Sequence, residues 1–176
     1  MIPKKYKWLE EEKSPRILQE MLKLHGTKEY RGSADNPKIL EWAREIRPYV
    51  GIDYKHDSTP WCGLVMGVVA QRANFKPPKI CVRAKEWLNF GWGVEPELGC
   101  VLVFNRRGGG HVGLYVGEDD TYYHVCGGNQ KDSVSFTRIS KDRLSGSREC
   151  PWKYRKPDGI RPVRLDSSGI ISYNES

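Results

Sequence analysis

Apolar residues recur at helical spacing twice in the first fifty positions. Ser14-Pro15 reads as an N-cap followed by proline at the first helical position, with Ile17, Leu18, Met21 and Leu22 on one face and Gly26 as the stop. Asn36-Pro37 repeats the device, with Ile39, Leu40, Ala43 and Ile46 forming the apolar stripe until Pro48. From Trp61 to Phe75 the first ten residues are apolar nearly all round, which predicts a helix buried in the core, with a buried strand over 64–69 as the alternative. Gly63 and Gly67 each cost such a helix about 1 kcal/mol relative to Ala, so they imply close packing against a neighbour.

Beyond Pro77-Pro78 the period changes. Residues 83–89 read as a short helix ending near Gly91. Strand-like runs then follow over 100–104, 111–116, 121–126 and 133–137, separated by clusters of Gly or Asp that suit hairpins and a meander. Helices first and strands later predict an α+β domain.

At 176 residues the chain is the size of one domain, and the expectation is a single unit over 1–176. Within it, 1–13 reads as a charged leader, 14–50 as N-terminal helices and 57–155 as the core. Residues 156–176 read as a tail of loop or edge strand whose last ten residues are expected to be disordered. The formal charge of +7 favours anionic partners, among which cell-wall polymer, phospholipid and nucleic acid all qualify. No helix-turn-helix or aromatic-plus-basic RNA motif is present, which argues against specific nucleic-acid binding. No run approaches the roughly 20 apolar residues of a membrane span, and the first twelve residues lack the apolar region of a secretory signal. Five widely spaced cysteines (62, 81, 100, 126, 150) make neither a disulfide framework nor a zinc site, so free thiols are expected, with no metal and no cofactor.

Cys62 falls where the central helix should begin, beside unpaired backbone N–H groups at the positive end of the helix dipole. There a thiolate is favoured and a developing oxyanion can be held. The plain alternative is a small buried hydrophobe, the commonest fate of a free cysteine. His111 opens a strand after three glycines, and the space beside its ring suits a general base. A third group would orient the imidazole: Asn129, or alternatively His124 on the intervening strand. A turn role for Asn129 and an ordinary strand role for His124 stand beside those readings.

The order Pro60-Trp61-Cys62-Gly63, Trp87-Leu88-Asn89-Phe90-Gly91, Gly110-His111-Val112-Gly113-Leu114-Tyr115-Val116-Gly117 and Gly127-Gly128-Asn129-Gln130 resembles the phage and prophage peptidoglycan hydrolases of NlpC and CHAP type. CHAP denotes cysteine, histidine-dependent amidohydrolase/peptidase. The resemblance extends upstream to Gly32 and Asn36 to Leu40, and downstream to Arg148 and Pro151. It implies a papain-like fold, a Cys62–His111 dyad, and cleavage of amide bonds in the peptide part of bacterial peptidoglycan by a monomer. Such an enzyme would be made in the bacterial cytoplasm without a signal peptide and reach the wall after release or delivery. Two departures stand out. Gly99-Cys100 replaces the family's usual Gly-Asp before the first strand. The third catalytic position is divided among relatives, Asn129 matching the CHAP-like pattern and His124 the NlpC-like one. Trp42, Trp61, Trp87 and Trp92 are candidates for a substrate groove, with burial in the core as the commoner role. The rival from another class is a non-catalytic phage-tail or wall-binding module. Within enzymes, the rivals are an antagonistic amidase effector of the same fold, or acyl transfer by the same pair.

Overall fold

The structure, a computed structural model, describes residues 1–32 and 34–173. After a 3-10 turn at Lys4–Tyr6 come α1 (Trp8–Glu11), α2 (Arg16–Leu24), α3 (Pro37–Glu45), α4 (Arg47–Val50) and α5 (Cys62–Arg72), then a 3-10 turn at Ala84–Asn89. The strands are β1 (Trp92–Gly93), β2 (Val101–Arg106), β3 (Gly109–Glu118), β4 (Tyr122–Gly127), β5 (Ser135–Ser140) and β6 (Leu144–Glu149). They form one antiparallel sheet in the order β1-β6-β2-β3-β4-β5. The protein is therefore α+β, as its pattern predicts. β2 to β5 form the expected meander, while β6 returns to pair with β2.

The segment from Trp61 is helical, not a strand, and it is buried along its first nine residues. A Cβ on Gly63 would clash with the carbonyl oxygens of Cys81 and Val82. One on Gly67 would lie 2.6 Å from Ile46 Cδ1 and 2.8 Å from Cys81 Sγ. Both glycines thus admit a neighbouring chain to the helix surface. Leu64, Val65 and Val68 share a core with Ile17, Met21, Ile39, Val112, Leu114 and Val116, so α5 is the hub between the early helices and the sheet. Trp42, Trp61 and Trp87 are fully buried in that core, whereas Trp92 is exposed.

Helix starts follow local chemistry. The Asn36 side chain accepts the N–H of Lys38, capping α3 with Pro37 at its first position. At α2 the cap position is Pro15, one residue later than expected. Pro48 does not end the helical path, because it sits in the first turn of the short α4, which stops at Gly51 in the left-handed conformation.

Residues 1–13, the charged leader, also carry core residues: Ile2, Tyr6 and Leu9 are buried, and the Tyr6 ring stacks on Phe136 with centroids 4.1 Å apart. Two expectations are corrected. The tail is fastened, since Arg164 bridges to Glu118 and Ile171 to Arg138, and Ser172 is buried. Its backbone covers the outer side of β5 through Arg138 N–H to Ile170 and Ser172 N–H to Arg138. Only the expectation for residues 174–176 lies outside the described residues. Finally, the glycines before His111 are not all turn, because Gly109 and Gly110 already pair in β3 with Arg106 and Asn105. Among the described residues no helix is long and apolar enough to cross a membrane.

Candidate active site

Cys62 is the first residue of α5, and Trp61 at the cap position makes no side-chain capping hydrogen bond. The first-turn amides are thus without the side-chain acceptor that Asn36 supplies to α3, a situation suited to a ligand oxygen. Cys62 is buried yet lines a cleft of about 280 Å³ together with Gly109 and Gly110 of β3 and the side chains of Arg83, Lys85 and Arg106. The other four cysteines, all free thiols, are held as thiols by burial: Cys81 and Cys100 are each pushed up to about 12, and Cys126 and Cys150 also shift upward. At Gly110 a Cβ would lie 3.3 Å from Ala84 Cβ, Lys85 Cγ and the Phe104 carbonyl oxygen. The glycine-rich start of β3 therefore seats the 83–85 segment against the strand.

His111 follows Gly110 and is completely buried. Its Nε2 lies 3.1 Å from Gln130 Oε1. The orientation of that amide is fixed independently, because Gln130 Nε2 donates to the carbonyls of Ser135 (2.5 Å) and Val125 (3.4 Å). Its oxygen must therefore face His111, where it accepts the Nε2 proton as well as the Thr137 hydroxyl at 3.1 Å. The imidazole is thus held as the Nε2–H tautomer, so proton exchange with a thiol falls to Nδ1.

The residue that hydrogen-bonds the His111 ring is Gln130, the neighbour of the expected Asn129. Asn129 is buried with φ of 56°, and Lys131 and Asp132 adopt φ of 53° and 57°. Three left-handed residues surround Gln130, a costly conformation retained because it turns that one side chain inward. Gly128 lets this loop settle on the start of α5, where a Cβ would come within 2.8 Å of Trp61 and would collide with Val65. The loop that holds His111 therefore packs on the residue preceding Cys62. The signal for Gln130 was present in the Gly127-Gly128-Asn129-Gln130 run: Asn tolerates the left-handed turn, which leaves the longer amide to reach inward.

His124 is engaged elsewhere. Its Nδ1 meets the Tyr6 hydroxyl at 2.8 Å and its Nε2 meets Asp119 Oδ2 at 3.0 Å, so both ring nitrogens are occupied away from His111. Arg138 Nε also donates to Asp119 at 2.8 Å. Burial disfavours the Asp119 charge. The N–H groups of Thr121 and Tyr122 together with Arg138 and His124 outweigh it and hold the carboxyl well below the usual carboxylate range. Burial lowers the His124 pKa despite Asp119.

The Gly99-Cys100 departure has a simple consequence. Cys100 Sγ accepts the Glu97 N–H at 3.4 Å and lies 3.2 Å from Ser147 Oγ, so a thiol pins the turn before β2. Near Cys62, Trp61 Nε1 donates to Glu29 at 2.8 Å, and Asp57 accepts the N–H groups of Tyr30 and Asn36. Among the described residues no group of three or more His, Cys, Asp or Glu side chains is placed to hold a metal ion. No protein-family model matches the chain, and no curated protein matches it.

Proposed function

We propose that this protein is a peptidoglycan hydrolase of papain-like fold that cuts an amide bond in the wall peptide, with Cys62 as nucleophile, His111 as base and Gln130 as the residue that positions His111. The observation carrying the reading is the shared cleft. Cys62 at an uncapped helix start and Gly110, next to a histidine whose tautomer is set by a fixed amide, line the same opening. The family-like order of motifs supports peptidoglycan as the substrate class.

In this mechanism His111 Nδ1 takes the Cys62 proton, and the thiolate sulfur attacks the amide carbonyl carbon. The developing oxyanion is met by first-turn N–H groups of α5. The imidazolium then returns the proton to the departing amine as the C–N bond breaks, leaving a thioester on Cys62. Water, deprotonated by the same imidazole, releases the acid and restores the thiol. Gln130 acts throughout by holding the Nε2 proton, as the third member of a triad does.

The test is clearance of purified wall by the wild-type protein and by Cys62→Ala, with circular dichroism to confirm folding. Loss of clearance in the folded variant is expected; clearance retained would sink the mechanism and favour a non-catalytic wall-binding module. Mass spectrometry of the digest, reading new amino groups, names the bond and separates hydrolysis from acyl transfer.

A further inference from the structure

The cleft beside Cys62 has a one-sided charge. Arg83, Lys85 and Arg106 line it, and among the described residues no acidic side chain does. Arg83 and Lys85 are exposed, and among the described residues neither has an ion-pair partner. The nearby acids gather instead around Tyr54, where Asp57, Glu29 and Asp35 reinforce the upward shift that burial imposes on its hydroxyl. None of them reaches the cleft.

The two exposed cations also stand on a rigid mount. The segment carrying them is held from three directions. The Trp87 indole N–H donates to the Cys81 carbonyl at 2.8 Å, α5 meets the carbonyls of residues 81 and 82 at Gly63, and β3 meets Ala84 and Lys85 at Gly110. Clamped backbone with unpaired cations beside a thiol is a prearranged anion site, because less ordering remains to be done when the ligand arrives. Arg offers a planar fork matched to a carboxylate, and Lys a point charge beside it.

We infer that the cleft selects wall peptides bearing a free carboxylate close to the scissile amide, recognised by Arg83 and Lys85, over peptides in which that carboxylate is amidated. The inference rests on the hydrolase reading for what it selects, but its binding test does not depend on turnover. Equilibrium binding to Cys62→Ala protein is measured with two probes: a wall stem tetrapeptide with its carboxylates free, and the same peptide with them amidated. The free acid is expected to bind about tenfold or more tightly, as charge-assisted hydrogen bonds imply. That margin should fall to about twofold or less in a background also carrying Arg83→Gln and Lys85→Gln. Lys76→Gln with Lys79→Gln removes the same two charges from exposed residues outside the cleft and should leave the preference intact. Equal affinity for the two peptides, no binding of either, or a preference that survives the double substitution would each overturn the inference. Should the wild-type protein fail to clear wall while this pattern holds, the catalytic reading falls and the anion site stands.

Discussion

Two buried histidines on adjacent strands have been given opposite environments. His111 on β3 meets a neutral amide, Gln130, and adjoins a cleft; His124 on β4 meets an ionised carboxylate and a phenol, with an arginine completing the set. A neutral partner fixes orientation and tautomer without binding the imidazole to a permanent counter-charge. His124 has both nitrogens committed: Nδ1 fastens the N-terminal segment, through Tyr6, onto the sheet, and Nε2 holds Asp119. Burial alone does not distinguish the two, since both rings are fully covered. The partners do.

The comparison breaks most readily at the rings themselves. His111→Ala should lower turnover by about a thousandfold, within the usual range for loss of a general base, while the protein stays folded. His124→Ala should instead leave turnover within about threefold and cost roughly 2–3 kcal/mol in denaturant unfolding, because it strands Asp119 and the Tyr6 hydroxyl. If the two variants exchange these phenotypes, the assignment of base is wrong.

Acid should act on the second histidine. Its pKa in the fold is depressed, so the unfolded chain binds the proton first. The stability it confers is complete above about pH 6.5 and is lost as pH falls from there through the folded value. Asp119 has the same sign in a lower window, with its contribution complete above about pH 4 and lost below that. Melting temperatures followed from pH 7.5 to 5.0 should fall more steeply for the wild type than for His124→Ala. Some slope should remain in the variant, because burial also lowers the pKa of His25. Parallel slopes would show that His124 titrates alike in both states.

A finer test separates Gln130 from Asn129. Gln130→Ala should reduce turnover by about ten- to a hundredfold, with the loss mainly in kcat and an altered pH profile, since the imidazole is no longer held to one tautomer. Asn129→Gly, which suits the backbone angle and keeps the turn, should cost less than about threefold. A larger loss at Asn129 would return the positioning role to it. The smallest effect is expected at Lys131, exposed and left-handed, where Gly should raise stability by about 0.5–1 kcal/mol.

Much of this architecture is legible in the chain. Periodicity finds α2, α3 and four strands, an apolar run on all faces marks α5, and Gly63 and Gly67 announce the close approach that the 81–82 segment makes. What escapes has physical causes. β6, Leu-Ser-Gly-Ser-Arg-Glu, has one large apolar side chain and is a strand only because β2 supplies its ladder on one side and β1 on the other. The apolar anchors of the charged leader are masked because Lys and Glu outnumber Ile2, Tyr6 and Leu9, yet those three are buried in the core. At the site, Cys62 and His111 are marked by their glycine neighbours. Gln130 is hidden because only the tertiary packing of its loop shows which of two successive amides turns inward.

Lys5 donates to Asp166 and to the Ser168 carbonyl, so the first residues and the late tail meet at one spot on the surface. The two segments, 161 residues apart along the chain, share one ammonium, so Lys5→Met would loosen the first turn and the late tail together.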